Sequence, residues 1–507
     1  MGVKAAVAAG FAAMISLCPA LAQDVTLVAR EGGIVLTGAL QGYDGEFYRI
    51  ETTYGILTVD GQGVICEGPA CPDLAAPKAV IHIVGTSDPA TKLLPALFRS
   101  FAERRGLIFE TTGDGAFAAR ILAPDTRSEL AVISFQALSP AAATAALSAG
   151  EADLKLSFLA EPGFGTHSLA MDALVAIVAP DNPTPEISTV NLARVLTGDV
   201  DNWSAIGGPD MPIVLHALRP EVDMQLALSA RLGAPVVAEI LHRDQQGLAA
   251  AVARDPWAIG ITGRSVVDPA RRIPLTDSCG FPLLPTPLAV KAGDYPLALP
   301  VILLTPQRRL PLLTREFLDF LRTPAAQEII STNGYIDRSA TRQPMTADGL
   351  RLINAIQGAG EDITLADLKR LVNLMDGADR LSLTFRFEGG SSTLDAQSRD
   401  NLADLAQLIA SGQFRNERMV LAGFSDGSGA ASANLALSVE RAARVAQELV
   451  AIAPDLPPEA LPAIEGFGEA LPMACDETAI GRDLNRRVEL WLMPDFSGRA
   501  EPEVDPL

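Results

Sequence analysis

The chain has 507 residues, 61 acidic against 40 basic side chains, a formal net charge of −21 and 48% hydrophobic residues. At roughly 100–200 residues per domain this length predicts about three globular domains. The acidic balance argues against nucleic acid as a partner and against electrostatic adhesion to anionic lipid, since both need a basic surface.

Residues 1–22 predict a secretory signal peptide. Lys4 supplies the n-region charge, residues 5–17 (AAVAAGFAAMISL) the apolar core, and Ala20-Leu21-Ala22 a small-x-small cleavage site that leaves Gln23 near the new start. A transmembrane anchor is the rival. It is disfavoured by a run that barely reaches the ~18–20 residues of a span, with no basic flank after it. A lipobox at Cys18 is disfavoured by Leu17, where a small residue belongs. Export implies a compartment that permits disulfides. Cys66 and Cys71 bracket only EGPA, so a local disulfide is easy; a metal site is the rival and lacks a neighbouring histidine or second CxxC. Cys279 and Cys475 fall in different expected domains, and sequence does not decide whether they pair.

Residues 24–71 alternate apolar and polar (VTLVA, GGIVLTG, FYRIET, GILTV) between Gly and Asp-Gly turns, which predicts a small all-β N-terminal module. Such a module has little core, so a Cys66–Cys71 clip would help it. A linker is expected at Pro72–Pro77. Residues 78–345 alternate strands and helices. AVIHIV is followed by a helix from about Ala90 to Arg105, and LIFETT by GDG and a further helix. ALVAIVAP, PIVLHAL and WAIGIT are later apolar strands, and this rhythm predicts α/β layers on mainly parallel sheets. Residues 346–376 hold two helical stretches, expected as a spacer. Residues 381–493 run strand, helix, strand, helix, strand, an α+β order. The tail at 494–507 is rich in proline and acid and is expected to be disordered.

Residues 421–445 (LAGFSDGSGAASANLALSVERAARV), the block GFGEALP and the terminal GRDLNRRVEL carry the sharpest chemical signal. They place a carboxylate in a Gly-rich loop and an arginine in the next helix. In this order they resemble the OmpA-like peptidoglycan-binding domain over 381–493. The resemblance implies that Asp426 and Arg441, fifteen residues apart, hold the diaminopimelate of the stem peptide, with Asn434, Ser425 and Arg487 in the same site. Diaminopimelate offers an ammonium for Asp426 and a carboxylate that Arg441 can grip with two hydrogen bonds. Backbone N–H groups at the helix start would add anion stabilisation. Phe424-Ser425 stands where the family often has His or Tyr then Thr, and serine keeps the hydroxyl. An ordinary loop–helix salt bridge is the alternative.

Residues 78–345 resemble the phosphate-type periplasmic solute-binding proteins, through IVGTSDP, TTGDGAFAARI, the block LTGDVDNWSAIGG, WAIGITG and FLDFLRTPAAQEIISTNGYI. That implies a two-lobed α/β fold of type II closing on phosphate or another small oxyanion. Thr86 and Ser87 match the first donor loop, and Thr112, Gly113 and Gly115 the second. Arg219 matches the family's arginine, but PEVDM follows it where the family has Ser-Gly-Thr. Glu221 and Asp223 would repel an anion unless they point away, and Phe135 stands where the family's aspartate belongs. The four histidines have no metal spacing and no GxSxG elbow is present, so neither an enzyme nor a cofactor is expected. His82 and His216 are expected as core histidines. The expectation is a periplasmic protein held to the wall and outer membrane, capturing an oxyanion for a transporter or sensor. The alternative is a structural envelope protein whose middle domain contacts protein.

Overall fold

The computed structural model describes residues 24–494, apart from 31, 44–45, 69–70, 72–77, 114–116, 358–362 and 388–392. The expected signal peptide, the linker at 72–77, Gly115 and the tail beyond 494 therefore lie outside the described residues.

The strands Asp24–Ala29, Val35–Tyr43, Phe47–Thr52, Gly55–Asp60 and Val64–Glu67 form one antiparallel five-stranded sheet. Alternation turns Val25, Leu27, Tyr48 and Ile50 into a small core. Cys66 and Cys71 are disulfide-bonded beside it, with their Cα atoms 5.7 Å apart.

The next region is built on an extended mixed sheet. In a first lobe, Ala79–Gly85 pairs in parallel with Glu129–Ala137 and with Leu154–Ser157. In a second, Val214–Leu218 pairs in parallel with Ile240–His242 and Ala258–Gly263. The strand Gly165–Val178 joins them, pairing antiparallel with Ala298–Thr305 of the first lobe and with Ala258–Gly263 of the second. Its last ten residues are all buried, as a strand covered on both faces requires. The sheet is thus mixed rather than mainly parallel. The helix expected after GDG is instead the strand Ala118–Leu122, paired antiparallel with Ile108–Thr111. Ala119 and Ile121 are buried and Ala118 and Arg120 are not, a period of two in a stretch expected as helix.

The C-terminal sheet runs in the order Arg342–Pro344, Asp379–Phe385, Val488–Pro494, Glu417–Gly423, Ala463–Gly466. One face carries the helices Ala396–Ala410 and Ala431–Ile452 over Leu383, Leu421 and Leu490. The stretch expected as a spacer, now the helices Gly349–Gln357 and Leu365–Met375, contributes Ala355, Leu371 and Met375 to the core on the other face, with Phe424 and Trp491. Truncating a buried tryptophan such as Trp491 costs about 3–5 kcal/mol, so this second layer is structural. The strand Arg342–Pro344, expected within the middle domain, also belongs to this sheet.

The two regions are tied together. Cys279 and Cys475 form a disulfide, and the Cys475 N–H donates to Asp277 at 2.7 Å. Asp294 forms an ion pair with Arg380 at 2.7 Å and accepts a hydrogen bond from Arg386 at 3.0 Å. Arg380 continues to the fully buried Glu489, which Arg351 and Arg487 also contact at 2.7 Å. A buried charge survives only when it is compensated in this way.

Candidate functional site

The strand Glu417–Gly423 ends in the loop that carries Asp426, and the helix Ala431–Ile452 returns over the sheet. Two glycines let it approach. A Cβ on Gly423 would lie 1.9 Å from the Ser438 carbonyl oxygen, and one on Gly466 would lie 2.4 Å from a Val439 methyl. The buried stripe of the helix is Asn434, Ser438, Ala442, Val445 and Leu449, whereas Leu437 is exposed. Small and polar residues therefore face the strand ends, and Arg441 projects half-buried at the edge of the loop.

Asp426 accepts from Arg486 at 2.7 Å and from the Ser428 N–H at 3.0 Å. Burial pushes its carboxyl up, but the Arg486 guanidinium and the Ser428 donors outweigh that and hold it below the usual aspartate value. Arg441 donates to the Phe424 carbonyl at 3.4 Å. Among the described residues no carboxylate forms an ion pair with it, so a salt bridge to Asp426 is not what the site contains. Burial and the nearby Arg486 lower its affinity for the proton, with Asp426 and Glu440 acting the other way. Ser425 is buried, and its Oγ has no partner among the described residues. Asn434 donates to Glu469 at 2.9 Å, joining the helix to the GFGE turn. The Gly427 N–H donates to Asp476 at 2.7 Å, beside the Cys475 disulfide.

Arg487 does not belong to this site. It is fully buried, donates to Glu489 and to the Leu471 carbonyl, and stacks over Phe424 at 4.4 Å. Its neighbour Arg486 is the arginine at Asp426. Taking residues 346–376 as a spacer leaves the Arg487–Glu489–Trp491 face open to solvent. Once those helices cover that face, Arg487 becomes a core residue.

Between the two lobes the expected oxyanion donors are scattered or already engaged. Thr86 is half-buried at the start of the helix Ser87–Arg104, and its N–H donates to the Leu156 carbonyl at 3.2 Å; Ser87 is exposed. Thr112 and Gly113 lie at the end of a strand rather than at a helix start, and the Thr112 N–H is bonded to the Ala118 carbonyl at 2.8 Å. Arg219 is half-buried and Phe135 is in the core. Glu221 is exposed, but Asp223 points inward. From the second lobe, its carboxylate accepts from the Phe158 N–H at 2.9 Å and the Ser157 hydroxyl at 3.4 Å, both of the first lobe. An internal carboxylate thus takes donors of the kind an external anion would need. Burial, above all, raises the Asp223 pKa, against the Phe158 N–H, Lys155 and Ser157. Asp172, in the joining strand, is 2% exposed and is pushed up to about 6 by burial, against the Ala173 N–H and Arg264. Of the histidines, His216 is buried against His242 at 2.9 Å, whereas His82 is exposed beside Ser134.

Residues 386–486 match the model of the OmpA family. The chain is 27% identical over 187 residues to the phosphate-binding protein PstS of Bacillus subtilis, covering 36% of this chain and 61% of that one. It is 26% identical over 150 residues to the probable lipoprotein YiaD of Escherichia coli (30% and 63%) and 34% identical over 110 residues to outer membrane porin F of Pseudomonas fluorescens (22% and 32%). The chain thus spans less than two thirds of the length of each of these relatives. Among solved structures, an ABC-type phosphate transport receptor from Vibrio cholerae superimposes with a TM-score of 0.41 at 21% identity, over 50% of this chain and 99% of that one. The C-terminal part of the chain is an OmpA-family domain, at residues 386–486, behind a region that matches the PstS phosphate-binding proteins in sequence.

Proposed function

We propose that this is an exported protein of the periplasm, anchored to the cell wall near the outer membrane, whose OmpA-family domain grips peptidoglycan. Asp426 takes the ammonium of the diaminopimelate side chain, exchanging its contact with Arg486, and Arg441 takes the carboxylate. The observation that carries this reading is the Arg441 guanidinium, half-buried at the Asp426 loop with, among the described residues, only a carbonyl at 3.4 Å as partner. The buried Ser425 hydroxyl supports it as an unspent donor at the same loop. The anchor holds a two-lobed binding-protein region at the wall, where a transporter or sensor would receive a captured solute such as phosphate.

Asp223 favours a second reading of that region. Its carboxylate takes the Phe158 and Ser157 donors, which supports lobes that close on themselves and contact protein instead of capturing an oxyanion. Sedimentation with purified sacculi tests the anchoring reading. The wild type is expected to pellet, and Asp426→Ala or Arg441→Ala to stay in the supernatant. Variants that pellet like the wild type would overturn it.

A further inference from the structure

We propose that the groove between the N-terminal sheet and the first lobe binds a phosphate-bearing ligand. It encloses about 940 Å3 and is lined by Arg30, Arg104, Arg105, Arg309 and Arg315. Against these, among the described residues, stand Asp60, Asp125 and Glu316. The balance of the described lining residues is basic, in a chain with 61 acidic and 40 basic residues.

The pairing leaves the excess accessible. Asp60 is shared by Arg309, at 3.4 Å, and Arg315. Glu316 holds Arg105 at 2.6 Å. Arg30, in the turn after the strand Asp24–Ala29, and Arg104, at the end of the helix Ser87–Arg104, are exposed, and neither has a carboxylate partner among the described residues. A phosphate group entering here meets guanidiniums from both walls, and the guanidinium fork matches phosphate oxygens two at a time.

The walls are braced without using either of those arginines. The Leu312 N–H donates to Gln62 at 2.7 Å, and Arg309 stacks over Phe47 at 4.1 Å. A preformed groove loses little freedom on binding. Leu107, Leu312 and Leu313 also line it and give the organic part of a ligand an apolar surface. Phosphate of a soluble compound and phosphate of a lipid headgroup share this chemistry. The residues are different from those between the lobes and from those at Asp426.

Calorimetry on the full chain tests this with two probes, inorganic pyrophosphate and the short-chain lipid dihexanoyl phosphatidylglycerol. At least one probe is expected to bind the wild type. Arg30→Glu with Arg104→Glu should weaken it by about tenfold or more. Arg30→Lys with Arg104→Lys should retain much of the binding. Stronger binding of pyrophosphate identifies a soluble phosphate compound; stronger binding of the lipid identifies a headgroup. The proposal is overturned if neither probe binds, or if the charge reversal, folded by circular dichroism, binds as the wild type does. It is equally overturned if only Arg219→Ala removes the binding, which places the anion between the lobes.

Discussion

Asp172 is a buried carboxylate in the strand Gly165–Val178 that joins the two lobes. Its carboxyl is 2% exposed, with one N–H donor from Ala173 at 2.8 Å and Arg264 4.0 Å away. Burial raises its pKa to about 6, with Asp88 adding to the rise and the Ala173 N–H, Arg264 and Lys92 opposing it. A folded pKa above the unfolded one means that the stabilising contribution is complete below the unfolded value of about 4 and is lost as pH rises through 6. A rise from about 4 to about 6 corresponds to about 3 kcal/mol, so at neutral pH the ionised side chain costs the fold up to that much. Asp172→Asn removes the charge and keeps an acceptor for the Ala173 N–H. Allowing about 1 kcal/mol for the weaker bond to a neutral acceptor, the variant should gain about 1–3 kcal/mol at pH 7.5. Urea unfolding at pH 7.5 and at pH 4 measures it, and the gain should shrink at pH 4, where the wild type carries a neutral carboxyl. A variant less stable at pH 7.5, or a difference equal at both values, would refute the reasoning.

Three other outcomes are expected. Asp223→Ala should free the Phe158 and Ser157 donors for an external anion, so millimolar phosphate should raise the melting temperature of this variant more than that of the wild type. Glu489→Gln should lose about 3–5 kcal/mol in denaturant unfolding, because Arg351, Arg380 and Arg487 keep their charges without the carboxylate they surround. Replacing Cys279 and Cys475 with serine should lower stability by about 2–4 kcal/mol and should separate the melting of the C-terminal domain from that of the lobes in calorimetry.

The elements whose pattern is local were the ones readable from sequence. Period-two alternation marks the N-terminal strands, and the apolar run LVAIV marks a strand buried on both faces. The Asp426–Arg441 spacing could be read because a single strand, loop and helix carry both residues. What was not readable depends on partners distant in the chain. Arg487 and Arg486 are adjacent, and only the helices at 349–375 decide which of them is interior. Cys279 and Cys475 lie 196 residues apart, and only the docking of the C-terminal domain on the second lobe brings them together. Asp223 looked like an obstacle to an anion. Whether it turns inward depends on the Phe158 N–H across the lobes. Leu437 has the right spacing for a core position. It is exposed because Gly423 and Gly466 draw the small-residue side of the helix, not the leucine side, onto the sheet.

The anchoring claim is tested most directly by calorimetry on the full chain with two stem peptides, one carrying diaminopimelate and one carrying lysine in its place. Lysine retains the ammonium that Asp426 would take and lacks the carboxylate that Arg441 would take. The wild type should bind the diaminopimelate peptide about 30-fold or more tightly than the lysine peptide, the loss of one charged contact. Arg441→Ala should reduce the diaminopimelate peptide to the level of the lysine peptide and leave the lysine peptide unaffected. Equal wild-type affinities for the two peptides, or a preference that survives Arg441→Ala, would contradict the account.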